Sequence, residues 1–197
     1  MQVVILCGGT GTRLKEQTEF LPKALIPIGG KPMIAHIMKW YAHYGFKKFI
    51  LALGYKQEQF KIYFANYDII NNDVKVDIGR YRGNNCYDYP DQWEVTMVDT
   101  GENTLKGGRL KRVEKYIEDD IFMMTYGDGI GDINIPELLV FHKSHGKMVT
   151  VTGVHSTSRF GEIHREGSKV ISFTEKPADN NNLINGGFFV FEKKIFE

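Results

Sequence analysis

The sequence predicts one α/β domain in three layers, α/β/α, with a mostly parallel sheet between helices in a Rossmann-like arrangement. Three observations carry this expectation. Short apolar, β-branched runs alternate along the chain with longer segments of helical spacing. The 197 residues are enough for one well-buried core and short for two. With 42% hydrophobic and 25% charged residues, and no stretch of Pro, Ser or like charge that reads as a linker, the composition is that of an ordinary globular protein. Strands that are apolar throughout must bury both faces, so helices are expected on both sides of the sheet, joined by right-handed crossovers.

The run Gln2–Cys7 is too short for a helix and ends in glycines, so it reads as a buried first strand. From Lys31 to Gly45 the residues Met33, Ile34, Ile37, Met38, Tyr41 and Tyr44 recur at helical spacing, with Pro32 in the first turn and a glycine as the stop. Lys48–Leu53 is a second buried strand, Gln57–Tyr67 a second helix, and Val74–Ile78 a strand of alternating side chains. Trp93–Asp99 then reads as a strand, Leu110–Ile117 as a helix, Phe122–Tyr126 as a strand and Ile135–His145 as a helix. Further strands are expected at Met148–Val154, Lys169–Thr174 and Phe188–Phe191. The stretch Ile78–Gln92, rich in Gly, Asn, Tyr and Asp, is the clearest long loop, of the kind that serves binding or assembly.

Composition also excludes several classes of function. Net charge is +1, and Lys and Arg are dispersed apart from Arg109, Lys111 and Arg112, so no nucleic-acid surface is expected and any anionic partner is small. No apolar run approaches the roughly 18 residues of a membrane span, which predicts a cytoplasmic protein without membrane contact. The cysteines, Cys7 and Cys86, have no CxxC spacing and read as reduced thiols, Cys7 as a small core residue. His142 and His145 have no third ligand nearby and read as a solvated helix face rather than a metal site. Asp119-Asp120 reads as an exposed helix end, and Ser144, Ser156 and Ser158 have no GxSxG setting for a hydrolase triad.

Ligands of open α/β sheets bind at the carboxyl ends of the strands. The loop after the first strand is Gly8-Gly9-Thr10-Gly11-Thr12-Arg13. Its glycines let backbone N–H groups approach phosphate oxygens, Thr12 adds a hydroxyl donor, and Arg13 adds a permanently charged fork, which together suit a triphosphate. A P-loop would need GK followed by Ser or Thr, and a dinucleotide fingerprint a third glycine where Leu14 stands. Glycines alone leave a plain strand-to-helix turn open. Lys23, after Pro22, can fold back over bound phosphates as a compact cation. Asp128, between Gly127 and Gly129 at the end of a strand, fits a Mg²⁺ ligand, with a turn aspartate as the alternative. Glu175-Lys176-Pro177 and Asn185-Gly186-Gly187 bring a carboxylate, an amine and flexible backbone toward a phosphate and sugar hydroxyls, with a salt-bridged turn as the alternative.

Taken in order, LCGGTGTRL, LPKALIPIGGKPMI, YGDG, EKP and NGGFFVF resemble the sugar-1-phosphate nucleotidylyltransferase family across nearly the whole chain. Within it, Val98–Arg112 (VDTGENTLKGGRLKR), Phe64-Ala65-Asn66-Tyr67 and Arg159-Phe160-Gly161 are most similar to the glucose-1-phosphate cytidylyltransferase branch. Thymidylyl relatives usually carry a Gln-Pro and Gly-Leu-Ala pattern in place of Thr104–Arg109. The resemblance implies that Leu6, Cys7, Gly8 and Gly9, with the stretch Thr104–Arg109 and in it Thr104, Gly108 and Arg109, frame a cytosine and its ribose. It also implies that Thr10 belongs to the nucleotide site, that Gly11, Thr12 and Arg13 hold the triphosphate, and that Lys23 neutralises the α-phosphate. Asp128 would bind Mg²⁺, Lys176 the sugar phosphate, and Glu175, Asn185 and Gly186 would face sugar hydroxyls, with Arg13, Lys23 and Asp128 as the catalytic set. The implied substrates are CTP and glucose 1-phosphate, the implied product is CDP-glucose for surface polysaccharide synthesis, and the implied assembly is a homo-oligomer. Family members continue past the equivalent of Glu197 and supply a second metal-binding aspartate there. Residues 1–197 are therefore expected to form one nucleotidyltransferase domain without that C-terminal part. Two alternatives stay open on sequence: a thymidylyltransferase or another nucleotidylyltransferase, and a non-catalytic nucleotide-binding module.

Overall fold

A computed structural model describes residues 1–9, 20–71, 73, 92–155, 162–174 and 183–197. The expected strand Val74–Ile78, nearly all of the 78–92 loop, Cys86, Thr10–Arg13, Ser156, Ser158, Arg159-Phe160-Gly161 and Glu175-Lys176 lie outside the described residues.

The central sheet has six strands. Strand β1 (Gln2–Leu6) is buried at all five positions because it has parallel neighbours on both sides. A two-residue ladder pairs β2 (Pro27–Ile28) with β3 (Lys31–Pro32) and leads into helix α1 (Met33–His43). Then follow β4 (Lys48–Leu53), α2 (Gln57–Ala65), α3 (Tyr67–Asn71), β5 (Glu94–Asp99), α4 (Lys106–Val113), β6 (Ile121–Tyr126), α5 (Ile135–His145) and β7 (Val149–His155). A hairpin of β8 (Glu162–Glu166) and β9 (Lys169–Thr174) precedes β10 (Leu183–Glu192). The sheet order is β5-β4-β1-β6-β10-β7. β5, β4, β1 and β6 run parallel, and β10 is antiparallel to both β6 and β7, so β10 alone is reversed.

Alternation along each strand divides the core between the two faces. Val3, Ile5, Leu51 and Met123 pack under Ile34, Ile37, Met38 and Tyr41 of α1. Val4, Leu6, Ile50, Phe122 and Met124 pack against Val113 of α4 and Ile117 beyond it. The three-layer expectation holds. Local signals explain the helix ends: the Asn134 side chain accepts from the Glu137 N–H at 3.2 Å to start α5, and Gly146 ends it at φ +61°.

Four expectations need correction. The helix expected over Lys31–Gly45 begins only at Met33, because Lys31 and Pro32 are committed to the β2–β3 ladder. Gln57–Tyr67 breaks at Asn66, whose side-chain amide donates to the Ile62 carbonyl at 2.8 Å, a local bond that competes with helix continuation. The helix expected over Leu110–Ile117 starts at Lys106 and closes as a 3₁₀ turn at Glu114–Tyr116; Gly107 and Gly108, poor helix formers, hid its first turn. His142 is buried rather than solvated: its ring nitrogens lie 2.8 Å from Thr150 Oγ1 and 3.2 Å from Glu192 Oε1, joining α5 to β7 and β10. Among the described residues no helix is long and apolar enough to cross a membrane.

Candidate active site

The carboxyl ends of β1, β4, β5 and β6 lie along one edge of the sheet, and the reversal of β10 brings its amino end to that same edge. A cavity of about 320 Å³ opens there, lined by Leu6–Gly9, Lys23 and Ala24, Thr104–Lys106, Arg109 and Tyr126–Asp128. Residues 120 positions apart in sequence thus share one wall.

Arg109 organises one lip of the cavity. It is 5% exposed, and its guanidinium donates to the carbonyls of Leu53 (3.0 Å), Gly101 (2.8 Å), Gly8 (2.9 Å) and Glu102 (2.8 Å) and to Thr100 Oγ1 (2.8 Å). The ends of β1, β4 and β5 are therefore fastened to one cation. Burial, and then the neighbouring charge of Arg112, hold the guanidinium below its ordinary basicity, while Asp99 works the other way. Gly8 is required for this packing: a Cβ there would lie 1.9 Å from Arg109 Nη1. Arg112 donates to the Thr100 carbonyl and to Thr104 Oγ1, which fixes Thr104 at the rim.

The opposite lip carries exposed charge. Lys23 opens a single 3₁₀ turn whose Ala24 and Leu25 are buried, so its backbone is anchored while its side chain stays about one-third exposed. Its ammonium lies 2.7 Å from Asp128 Oδ2, and Asp128 is about half exposed. The preceding Gly127 donates to the Leu6 carbonyl at 3.0 Å, and a Cβ there would stand 2.8 Å from Cys7 Sγ. Cys7 is buried, and burial, followed by the charge of Asp128, pushes its thiol up beyond the ordinary range. It is a core thiol, not a nucleophile.

The nucleotidyl transferase family profile matches residues 2–197. The chain belongs to that family. It is 45% identical to a glucose-1-phosphate cytidylyltransferase of Salmonella typhi and 43% identical to a probable glucose-1-phosphate cytidylyltransferase of Bacillus subtilis, covering all of this chain and 77% of each relative. Among solved structures it is similar to HddC from Yersinia pseudotuberculosis, crystallised with GMP-PN, at 28% identity and a TM-score of 0.65, covering 100% of this chain and 78% of that one. A putative glucose-1-phosphate thymidylyltransferase from Bacillus anthracis shares the fold at 20% identity and a TM-score of 0.67, over 100% of this chain and 73% of that one.

The structure brings several of the candidate residues to this edge and leaves others away from it. Leu6–Gly9, Lys23, Thr104, Arg109 and Asp128 all line the cavity. Gly108 does not; it stands on α4 behind Thr104, whose Cγ2 lies 2.9 Å from where a Cβ would be built. Asn185 reaches the rim only through Tyr126, donating to its hydroxyl at 3.2 Å. Gly186 faces strand β7, where a Cβ would meet Val154 Cγ1 at 2.9 Å and the Thr152 carbonyl at 3.0 Å. Leu105 and Lys106, inside the Thr104–Arg109 stretch, line the cavity as well, and sequence reasoning missed Tyr126, which also lines it. The signal for Tyr126 was its position, immediately before Gly127-Asp128 at a strand's carboxyl end. Among the described residues no group of three His, Cys, Asp or Glu side chains could hold a metal, so Asp128 is the single carboxylate of the cavity wall. One hard oxygen donor at an open position is compatible with Mg²⁺, which commonly takes its remaining oxygens from waters and substrate phosphates.

Proposed function

We propose that this nucleotidyltransferase moves a cytidylyl group from CTP to glucose 1-phosphate, with Mg²⁺, giving CDP-glucose and pyrophosphate. The observation that carries the reading is the opposition of the two lips: a glycine backbone fastened by Arg109 on one side and the Lys23–Asp128 pair, 2.7 Å apart, on the other. The choice of CTP and glucose 1-phosphate is supported by the 45% and 43% identity to the two cytidylyltransferases over all of this chain.

In the proposed reaction a phosphate oxygen of glucose 1-phosphate bonds to the α-phosphorus of CTP. The bond from that phosphorus to the bridging oxygen of the β-phosphate breaks, and pyrophosphate leaves with the electron pair. No protein nucleophile is required, so the chain's work is positioning and charge. Lys23 would place its ammonium against the α-phosphate as negative charge builds there. Gly8 and Gly9 leave room for the nucleotide to lie close to the backbone. Asp128 would hold Mg²⁺, which when bound neutralises phosphate charge. Arg13, Thr12 and Lys176 would complete the phosphate contacts.

The test is pyrophosphate release from Mg²⁺, glucose 1-phosphate and each nucleoside triphosphate in turn. Release with CTP alone is expected. Release with TTP or GTP instead would move the base assignment, and CTP binding without release would favour a non-catalytic module.

A further inference from the structure

Tyr126 lines the cavity without a part in the reaction above, and its hydrogen bonds fix a direction. The Gly187 N–H can only donate, and it lies 2.8 Å from Asn185 Oδ1. That sets the Asn185 amide: its oxygen is taken, and its Nδ2 faces the Tyr126 hydroxyl at 3.2 Å. An amide nitrogen donates, so the Tyr126 oxygen accepts, and the phenol's own proton remains to be given elsewhere. Among the described residues no acceptor receives it.

The ring is held as firmly as its oxygen. Gly187 adopts φ +81°, and a Cβ there would lie 2.8 Å from Tyr126 Cδ2, so the ring rests against bare backbone. Phe189 meets it edge-on at 5.8 Å, and the Lys106 ammonium sits 4.5 Å from its centroid. Lys106 lines the cavity and Asn185 lies near the start of β10, so Tyr126 joins the cavity wall to that strand.

We infer that the Tyr126 hydroxyl is a directed donor to a hydroxyl oxygen of the sugar phosphate, making Tyr126 a substrate-contacting residue that sets sugar specificity. Asn185 is a positioning residue that acts through it. This rests on reading the cavity as a nucleotide and sugar-phosphate site. A phenol donor with its acceptor side already filled recognises an oxygen that can accept, which a deoxygenated sugar lacks at the contacted carbon.

The test uses a series of monodeoxyglucose 1-phosphates in the pyrophosphate assay with CTP. Tyr126→Phe is expected to raise the KM for glucose 1-phosphate about tenfold, the value of one neutral hydrogen bond, while the KM for CTP stays unchanged. Wild type should discriminate against one deoxy sugar by a similar factor, and Tyr126→Phe should treat that sugar and glucose 1-phosphate alike. Asn185→Asp offers only acceptors, turns the phenol proton inward, and should reproduce the loss, with no further loss in the double variant. Equal discrimination by wild type and Tyr126→Phe at every position would overturn the inference. If wild type releases no pyrophosphate, the proposed function fails separately. Calorimetry with glucose 1-phosphate then decides Tyr126, about tenfold weaker binding by Tyr126→Phe supporting its role and equal binding, or none by wild type, refuting it.

Discussion

The two lips of the cavity each carry a cation, and the contrast between them shows how burial assigns a job. Arg109 is 5% exposed with five hydrogen bonds to protein acceptors, whereas the Lys23 side chain is 31% exposed with one ion pair to Asp128. A buried cation saturated by carbonyls cannot be withdrawn without stranding some of those acceptors, so it serves as architecture. An exposed pair of charges contributes little to folding, and each member can exchange its partner for a ligand. Both were expected to meet the nucleotide and both line the cavity, but only the second has its side chain substantially exposed.

Removing each cation should therefore break different things. Arg109→Met removes five hydrogen bonds and leaves the Gly101 and Glu102 carbonyls in need of a donor, while the Leu53 and Gly8 carbonyls keep the Thr100 and Tyr55 N–H groups; it is expected to lower unfolding free energy by about 3–5 kcal/mol, read by urea denaturation. Arg109→Lys should recover only part, because an ammonium has three donors and no fork. Lys23→Ala is expected to do the reverse, with turnover falling about 10²–10³-fold and the urea midpoint moving little. The KM for CTP should rise by a smaller factor than turnover falls. An unchanged turnover number would take Lys23 out of the mechanism, and a large stability loss would erase the contrast between the lips.

Gly8→Ala sharpens the comparison from the backbone side. A methyl at 1.9 Å from Arg109 Nη1 forces the guanidinium or the loop to shift, at about 1–3 kcal/mol. In an Arg109→Met background most of that cost should vanish, since the clashing group is gone; additive losses in a double-mutant cycle would mean that Gly8 is needed for its own conformation and not for the cation.

Much of this division was legible in the sequence and some was not. The run Gln2–Leu6 was readable because a strand with neighbours on both sides is apolar at every position, and Gly127-Asp128 because it follows another such strand. Lys169–Thr174 looked equally strand-like, yet all six of its residues are exposed in a hairpin with Glu162–Glu166. Apolar β-branched composition reports a strand and not which sheet receives it. The hydrogen bonds of Arg109 could not be assigned from sequence, because its partners include backbone carbonyls at the ends of three separate strands, and a carbonyl leaves no mark in the residue letters. His142 was misread for the same reason: its burial depends on Thr150 and Glu192, which only the β7–β10 pairing brings beneath α5.

The smallest effect lies at Asp99, at the end of β5, which orders the loop whose Gly101 and Glu102 carbonyls hold Arg109. A hydrogen bond from the Gln57 side chain, then one from the Gly101 N–H at 2.8 Å, hold its carboxyl below the usual range. A carboxyl depressed on folding adds stability that is fully present above its unfolded pKa and is lost as pH falls through its folded one. Asp99→Asn keeps an acceptor for the Gly101 N–H but removes the titration. The variant should be slightly less stable than wild type at neutral pH, and the two should converge as the pH drops below the ordinary carboxylate range, followed by thermal unfolding at a series of pH values. A gap that stays constant down the series would show that the charge of Asp99 plays no part in holding the Arg109 lip, leaving its geometry alone to do so.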